Sequence, residues 1–221
     1  MNFFGHAVLA AWRDDAHPFV LGAMLPDFAA MIRARPPATP DAAIAAGIEF
    51  HHRTDEAFHR SAVFLELSRV ALEWLLARGV GRGSARAVAH IGVEMLLELP
   101  LARDARAQRA YLGALDGGAD AELGRHVAWA DTDESTRFER LRRALLDRGR
   151  VIEDVASEVI AERLTRALSS RPLLALGPAA QLTVREWISV TRVDIAAHAW
   201  PLVATLKPAL STPASSPGAS D

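Results

Sequence analysis

Residues 47–59 read GIEFHHRTDEAFH and place His51, Asp55 and His59 at intervals of four residues. Four residues are slightly more than one turn of an α-helix, so in a helix these three side chains share one face. The flanking residues are rich in Ala, Leu, Arg and Glu, which favour helix. The shared face is either a solvated polar stripe or a metal site, and the other polar residues of the chain bear on that choice.

The same helix-favouring composition extends over nearly the whole chain of 221 residues. No segment alternates apolar and polar residues as a half-buried strand does. Hydrophobic residues make up 50% of the sequence, which is enough for a well-buried core. We therefore predict an all-α fold, a single-domain helical bundle over residues 1–208, followed by a disordered Pro- and Ser-rich tail over residues 209–221.

Proline and glycine set the expected helix ends. We predict that Pro26 interrupts the second helix, because proline removes a backbone donor. The sequence GVGRGS predicts a helix end, with Ser84 as the N-cap of the next helix. Residues 151–168, VIEDVASEVIAERLTRAL, predict one amphipathic helix. A long final helix is predicted over residues 178–199, with its continuation past Pro201 left open.

Charge and composition exclude several classes of function. The net charge of -2 argues against a nucleic-acid-binding surface or a polybasic membrane anchor. The sequence contains no cysteine, so disulfides, cysteine nucleophiles and Cys-ligated zinc are excluded within it. The N-terminal segment lacks the basic region of a signal peptide, and charges break every apolar run before it could span a membrane. We expect a cytoplasmic protein with no nucleic-acid or membrane partner.

Other potential metal ligands lie in apolar surroundings. They are His6, Asp27, His90 and Glu94. Burying such a side chain is costly unless it has a partner, and one cation can be the partner of several. His90 and Glu94 repeat the four-residue spacing of the opening stretch, which puts two donor atoms on adjacent turns. Asp27 could instead cap a helical turn after Pro26. Nitrogen and carboxylate ligands suit zinc, manganese or iron.

Four motifs in this order resemble the acyl-carrier-protein phosphodiesterase family, small helical hydrolases related to the HD-domain phosphohydrolases. MNFFGHAVLA is similar to the start of that family, a Met-Asn-Phe followed by His and Leu-Ala. LGAMLPDF resembles its Gly-Asn-Leu-Leu-x-Asp-Phe segment, and GIEFHHRTD its Gly-Ile-x-x-His-Arg-x-x-Asp signature. AHIGVEMLL lies where the family has a helix with acidic ligands four residues apart. The resemblance covers roughly residues 1–208.

The resemblance implies an HD-like fold and metal-assisted hydrolysis of a phosphodiester, the bond between 4'-phosphopantetheine and a serine of acyl carrier protein. The metal would be Mn²⁺, with Fe²⁺ or Zn²⁺ as alternatives. The implied metal ligands are His6, Asp27, His51, Asp55, His90 and Glu94. Arg53 and His52 would contact the phosphate, and His59 or Glu98 would act around the ligands or in proton transfer.

The chain departs from the family pattern at several positions. Ala23 replaces the Asn of the second motif, His52 replaces the Arg that follows the signature His, and His59 and His90 replace carboxylates. These changes keep the site rich in ligands but alter its charge. Two other functions therefore stay open: an HD-like hydrolase of another small phosphodiester or nucleotide, and a helical binding module without catalysis.

Overall fold

The computed structural model describes residues 1–117, 126–152 and 154–211 of the chain. In these residues the fold is all-α, as predicted, with ten α-helices and no strand. The helices are α1 Phe3–Arg13, α2 His17–Ile32, α3 Ala42–Arg60, α4 Ala62–Ala77, α5 Arg82–Glu98, α6 Ala105–Asp116, α7 Thr132–Arg148, α8 Ser157–Ser169, α9 Pro178–Ala197 and α10 Ala199–Ser211. A short 3-10 helix, Leu99–Arg103, follows α5.

Proline does not interrupt α2, contrary to the prediction at Pro26. Proline removes one helical hydrogen bond, but residues on almost every side of this helix are buried, among them Phe19, Leu25 and Phe28. Packing therefore outweighs the lost bond. Asp27 consequently lies inside a continuous helix, and the alternative that it caps a helical turn is wrong.

Two other predicted helix starts also differ from the structure. Helix α5 begins at Arg82 with Gly81 as its N-cap, so Ser84 lies within the first turn and caps nothing. Glycine is itself an acceptable N-cap residue. Helix α8 begins only at Ser157, because the Gln108 side chain binds both backbone groups of Val151. The bond to the Val151 carbonyl, 2.7 Å long, replaces the helical bond that this carbonyl would make, and the 3.1 Å bond satisfies the Val151 N–H.

The last described residues are helical up to Ser211, beyond the predicted limit of residue 208. Helix α9 ends at Ala197 with His198 as its C-cap, and α10 then starts with Pro201 in its first turn, where the missing N–H costs least. Residues 209–211 belong to α10, and the rest of the predicted disordered tail, 212–221, lies outside the described residues.

The chain divides into two compact units, each made of segments distant in sequence. Unit A comprises Asn2–Ala57, Asp104–Val151 and the chain from Leu206, and unit B comprises Met1, Phe58–Arg103 and Ile152–Thr205. The prediction of one domain over residues 1–208 stays a prediction.

Unit A is built on α1, α2 and α6, which pack against one another, with α7 against α2 and α6. An aromatic cluster fills this core, and Phe4 meets Tyr111 edge to face with ring centroids 5.4 Å apart. Helix α3 approaches α2 at two glycines. A Cβ built on Gly47 would lie 2.2 Å from the carbonyl oxygen of Phe19, and one built on Gly22 would lie 2.2 Å from that of Ile44. The backbones of the two helices are therefore in direct contact.

Unit B is a separate helical core in which α5 packs against α4, α8 and α9. The indole of Trp187 is fully buried and lies over Gly92, where a Cβ would come within 2.6 Å of the ring. This contact fixes α5 against α9. None of the described helices in either unit combines the length and the hydrophobicity that crossing a membrane requires.

Candidate metal centre

Three potential ligands from three helices of unit A come together, and we name them the His6 cluster. Helix α1 supplies His6, α2 supplies Asp27 and α3 supplies His51, and their ligand atoms lie within 4.8 Å of one another. Both histidines are buried, and Asp27 is half-buried. The rings of His6 and His51 have centroids 3.8 Å apart. Residues 21 to 45 positions apart in sequence thus form one polar group inside an apolar core.

The hydrogen bond of His51 fixes its tautomer. Its Nδ1 lies 2.9 Å from the carbonyl oxygen of Ala23, which can only accept, so Nδ1 carries the proton and Nε2 the lone pair. Burial, and then the neighbouring His6 ring, lower the pKa of His51 to about 3. The ring is therefore neutral at physiological pH, which is the form that binds metal ions.

The Thr54 hydroxyl fixes the tautomer of His6. The Thr54 hydroxyl donates toward the carbonyl oxygens of Phe50 and His51, at 2.9 and 3.0 Å. Its oxygen is then the acceptor for His6 Nδ1, 3.3 Å away. This arrangement puts the proton of a neutral His6 on Nδ1 and directs Nε2 toward the carboxylates. Hydrogen bonds of this kind hold and orient metal-binding histidines.

Asp55 lies beside the His6 cluster and adds a second carboxylate. Its Oδ1 is 3.4 Å from His6 Nε2. Two donors that bind one tetrahedral ion at about 2.0–2.1 Å are about 3.3–3.4 Å apart, so a single ion fits both atoms. Asp55 stands outside the three residues whose ligand atoms all lie within 4.8 Å of one another, and it joins them through His6. Imidazole and carboxylate ligands together suit Zn²⁺, Mn²⁺ or Fe²⁺. The residues present therefore fit the divalent ion that the sequence predicts, without showing which ion it is.

Replacing Thr54 by valine is expected to weaken metal binding 10- to 100-fold, the usual effect of removing a hydrogen-bond partner of a metal ligand. Valine keeps the shape of the side chain but cannot accept from His6 Nδ1. The measurement is a calorimetric titration of chelator-treated protein with Mn²⁺. Thr136→Val is the matched control, because the Thr136 hydroxyl also bonds a carbonyl one turn earlier but is exposed. Equal affinities in the two variants would contradict the role of Thr54.

A second group of potential ligands lies in unit B, and we name it the Glu94 cluster. It contains His59 at the end of α3 with His90 and Glu94 on α5, and its ligand atoms also lie within 4.8 Å of one another. Glu94 Oε1 is 3.2 Å from His90 Nε2 and 3.5 Å from His59 Nε2. The amino group of Met1 donates to the same oxygen at 3.2 Å. Burial by itself raises the pKa of Glu94. The hydrogen bond from His90 and the charge of the amino group lower that pKa by more, so the net shift is downward.

The remaining predicted site residues lie around these clusters. His52 is exposed on α3, with its ring edge-on to His51 at a centroid distance of 5.3 Å. Arg53 is half-buried and lies 3.9 Å from Glu49, one turn earlier. Glu98 is buried in unit B, at the end of α5.

The six predicted metal ligands thus divide between two groups. His6, Asp27, His51 and Asp55 lie together in unit A, whereas His90 and Glu94 lie in unit B beside His59, which we had predicted to be catalytic. Neither Thr54 nor the carbonyl of Ala23 is among the predicted site residues. A threonine inside a helix and a backbone oxygen carry no signal of this role in a single sequence.

No model of a known protein family matches the chain, and no curated protein or solved structure is significantly similar to it.

Proposed function

We propose that the chain is a divalent-metal-dependent phosphodiester hydrolase whose metal centre is the His6 cluster with Asp55. The observation that carries this proposal is the shared orientation of two buried histidines. Each donates a hydrogen bond from its Nδ1–H group, His51 to the carbonyl oxygen of Ala23 and His6 to the hydroxyl oxygen of Thr54. In both tautomers the lone pair is therefore on Nε2, and His6 Nε2 lies 3.4 Å from Asp55 Oδ1. A core histidine also hydrogen-bonds its ring N–H, but here two such rings, with centroids 3.8 Å apart, come together with Asp27.

The chemistry follows from this donor set. A divalent ion bound there would lower the pKa of water and stabilise the charge that develops on a phosphoryl oxygen. The two neutral rings supply lone pairs, and the two carboxylates balance the charge of the ion. His52 and Arg53 follow His51 directly on α3, and we assign them to the phosphate, since a guanidinium can bind two phosphate oxygens at once.

The substrate we propose is the phosphodiester that joins 4'-phosphopantetheine to acyl carrier protein. The resemblance of the four sequence motifs supports it, because His6, Asp27, His51 and Asp55 all stand at motif positions. Mn²⁺ is the ion that the same resemblance favours. A small phosphodiester or nucleotide is the alternative substrate, and a binding module without catalysis is the alternative function.

The proposal is tested by assaying hydrolysis with and without Mn²⁺ on three substrates. These are phosphopantetheinylated acyl carrier protein, bis(p-nitrophenyl) phosphate and a cyclic dinucleotide. We expect Mn²⁺-dependent release of phosphopantetheine and a loss of at least about 100-fold in Asp55→Ala, with far-ultraviolet helicity retained. The reason is that Asp55 supplies a ligand oxygen next to His6 and has little part in the core.

The control variant is Glu56→Ala, which removes an exposed carboxylate from the next position of the same helix. It should keep wild-type turnover. Turnover of only the small phosphodiesters would replace the acyl-carrier-protein substrate by the alternative. Full activity of Asp55→Ala would show that the ligand assignment is wrong, and no turnover of any substrate would favour the binding module.

A further inference from the structure

We propose that the Glu94 cluster is a second metal site, in which His59, His90 and Glu94 bind one zinc-class ion and leave its fourth position open to solvent. This site lies wholly in unit B, and it does not depend on the hydrolase activity proposed for the His6 cluster. It also gives His59 a different role from the catalytic one that the sequence suggests.

The distances between the ligand atoms support a tetrahedral ion. The two separations from Glu94 Oε1, 3.2 Å to His90 Nε2 and 3.5 Å to His59 Nε2, bracket the edge of about 3.3–3.4 Å expected for zinc ligands. The two imidazole rings are stacked, with centroids 4.8 Å apart and planes inclined by 9°. Both rings therefore present Nε2 to the same carboxylate oxygen.

The amino group of Met1 shows that this position favours a cation. It lies 3.2 Å from Glu94 Oε1 and 3.3 Å from His59 Nε2. A protonated amino group can only donate, so the His59 nitrogen that meets it is the one with the lone pair. His59 is thus held in the form that binds metal ions, and a metal ion would take the place of this positive charge.

The donor set and the exposure indicate the class of ion. Two imidazoles and one carboxylate form a ligand set of zinc enzymes, in which the fourth position is left for water or substrate. The side chain of Glu94 is 12% exposed, whereas that of His90 is 49% exposed. The carboxylate is therefore anchored in the core while one side of the site faces solvent. Harder ions such as Mg²⁺ prefer an all-oxygen shell and would bind poorly here.

The test uses full-length protein in which His51→Ala removes a ligand from the other cluster. Chelator-treated protein is dialysed against Zn²⁺ or Co²⁺, and the bound metal is measured by plasma mass spectrometry. We expect one equivalent of zinc, and with Co²⁺ the strong visible absorption of a four-coordinate ion. Adding His90→Gln or His59→Gln should reduce the bound metal to well below one-tenth of an equivalent at the same free concentration.

The control is His198→Gln, which replaces an exposed histidine of unit B that bonds only a helix carbonyl in the described contacts. It should leave the bound metal unchanged. Both histidine variants avoid the buried Glu94, whose replacement could unfold the protein. Absence of zinc in the His51→Ala protein, or its retention in both cluster variants, would overturn the proposal. Neither result bears on phosphodiester hydrolysis at the His6 cluster, which is assayed separately.

Discussion

Mn²⁺ is expected to raise the melting temperature of the protein, and replacing His51 by alanine is expected to abolish that rise. A ligand that binds only the folded protein stabilises it by about 2.7 kcal/mol at a concentration one hundred times its dissociation constant. His51 is the member of the His6 cluster whose proton position is set most firmly, by a 2.9 Å bond to a backbone carbonyl. Without it, the ion would lose a neutral nitrogen ligand.

The measurement is the shift in melting temperature on adding Mn²⁺, by circular dichroism. Every protein compared carries His90→Gln, so that an ion at the Glu94 cluster contributes nothing. The shift, and not the melting temperature itself, is compared, because the alanine also leaves a cavity in the core. His198→Ala should keep the full shift. An unchanged shift in the His51→Ala protein would show that the His6 cluster binds no ion, and the paired histidines would then be core packing.

The second large effect is a loss of folding stability in Gly47→Ala, since α2 and α3 are in contact at Gly47. An alanine there would place Cβ 2.2 Å from the carbonyl oxygen of Phe19, and the nearest atoms are all backbone. Backbone cannot rotate away as a side chain can, so the two helices must separate. Overpacking of a core costs 1–3 kcal/mol where side chains can adjust, and we expect about 3 kcal/mol or more here. The measurement is urea unfolding.

Gly83→Ala is the matched control for Gly47→Ala. Both glycines lie inside helices, but a Cβ on Gly83 would meet its nearest neighbour, a Leu174 methyl, at an ordinary 3.5 Å. Alanine is the better helix former by up to about 1 kcal/mol, so Gly83→Ala should stabilise the protein slightly. The two substitutions should therefore change the free energy of unfolding in opposite directions. A Gly47→Ala protein as stable as the wild type would mean that α2 and α3 are not in direct backbone contact.

The fold class was predictable from sequence because it depends on helix propensity and on the spacing of apolar residues, which are local properties. Most errors at helix ends arose where distant residues intervene. Gln108 holds Val151 out of α8, and packing around Pro26 keeps α2 continuous. Interactions across 43 residues, as between Gln108 and Val151, are invisible to any local pattern.

The residues that form the two clusters were named from the sequence, but how they are grouped was not. The four-residue spacing correctly placed His51 and Asp55 on one side of α3, and apolar surroundings singled out His6 and Asp27. The same spacing grouped His59 with them, whereas its neighbours in the structure are His90 and Glu94. Spacing fixes the face of one helix, but which residues of other helices meet that face is decided by tertiary packing.

The two histidines of the His6 cluster differ in whether a substitution can remove the acceptor of their Nδ1–H hydrogen bond. The acceptor for His6 Nδ1–H is the Thr54 side chain. A single base change that removes this hydroxyl could therefore alter the site without replacing a proposed ligand. The proton of His51 is received by the main chain at Ala23, and every residue type at position 23 supplies that carbonyl. A substitution at position 23 therefore keeps the acceptor that orients His51, whereas a substitution at position 54 can remove the acceptor that orients His6. In a diverging lineage we expect changes at the proposed metal centre to begin at Thr54, before any of the proposed ligands changes.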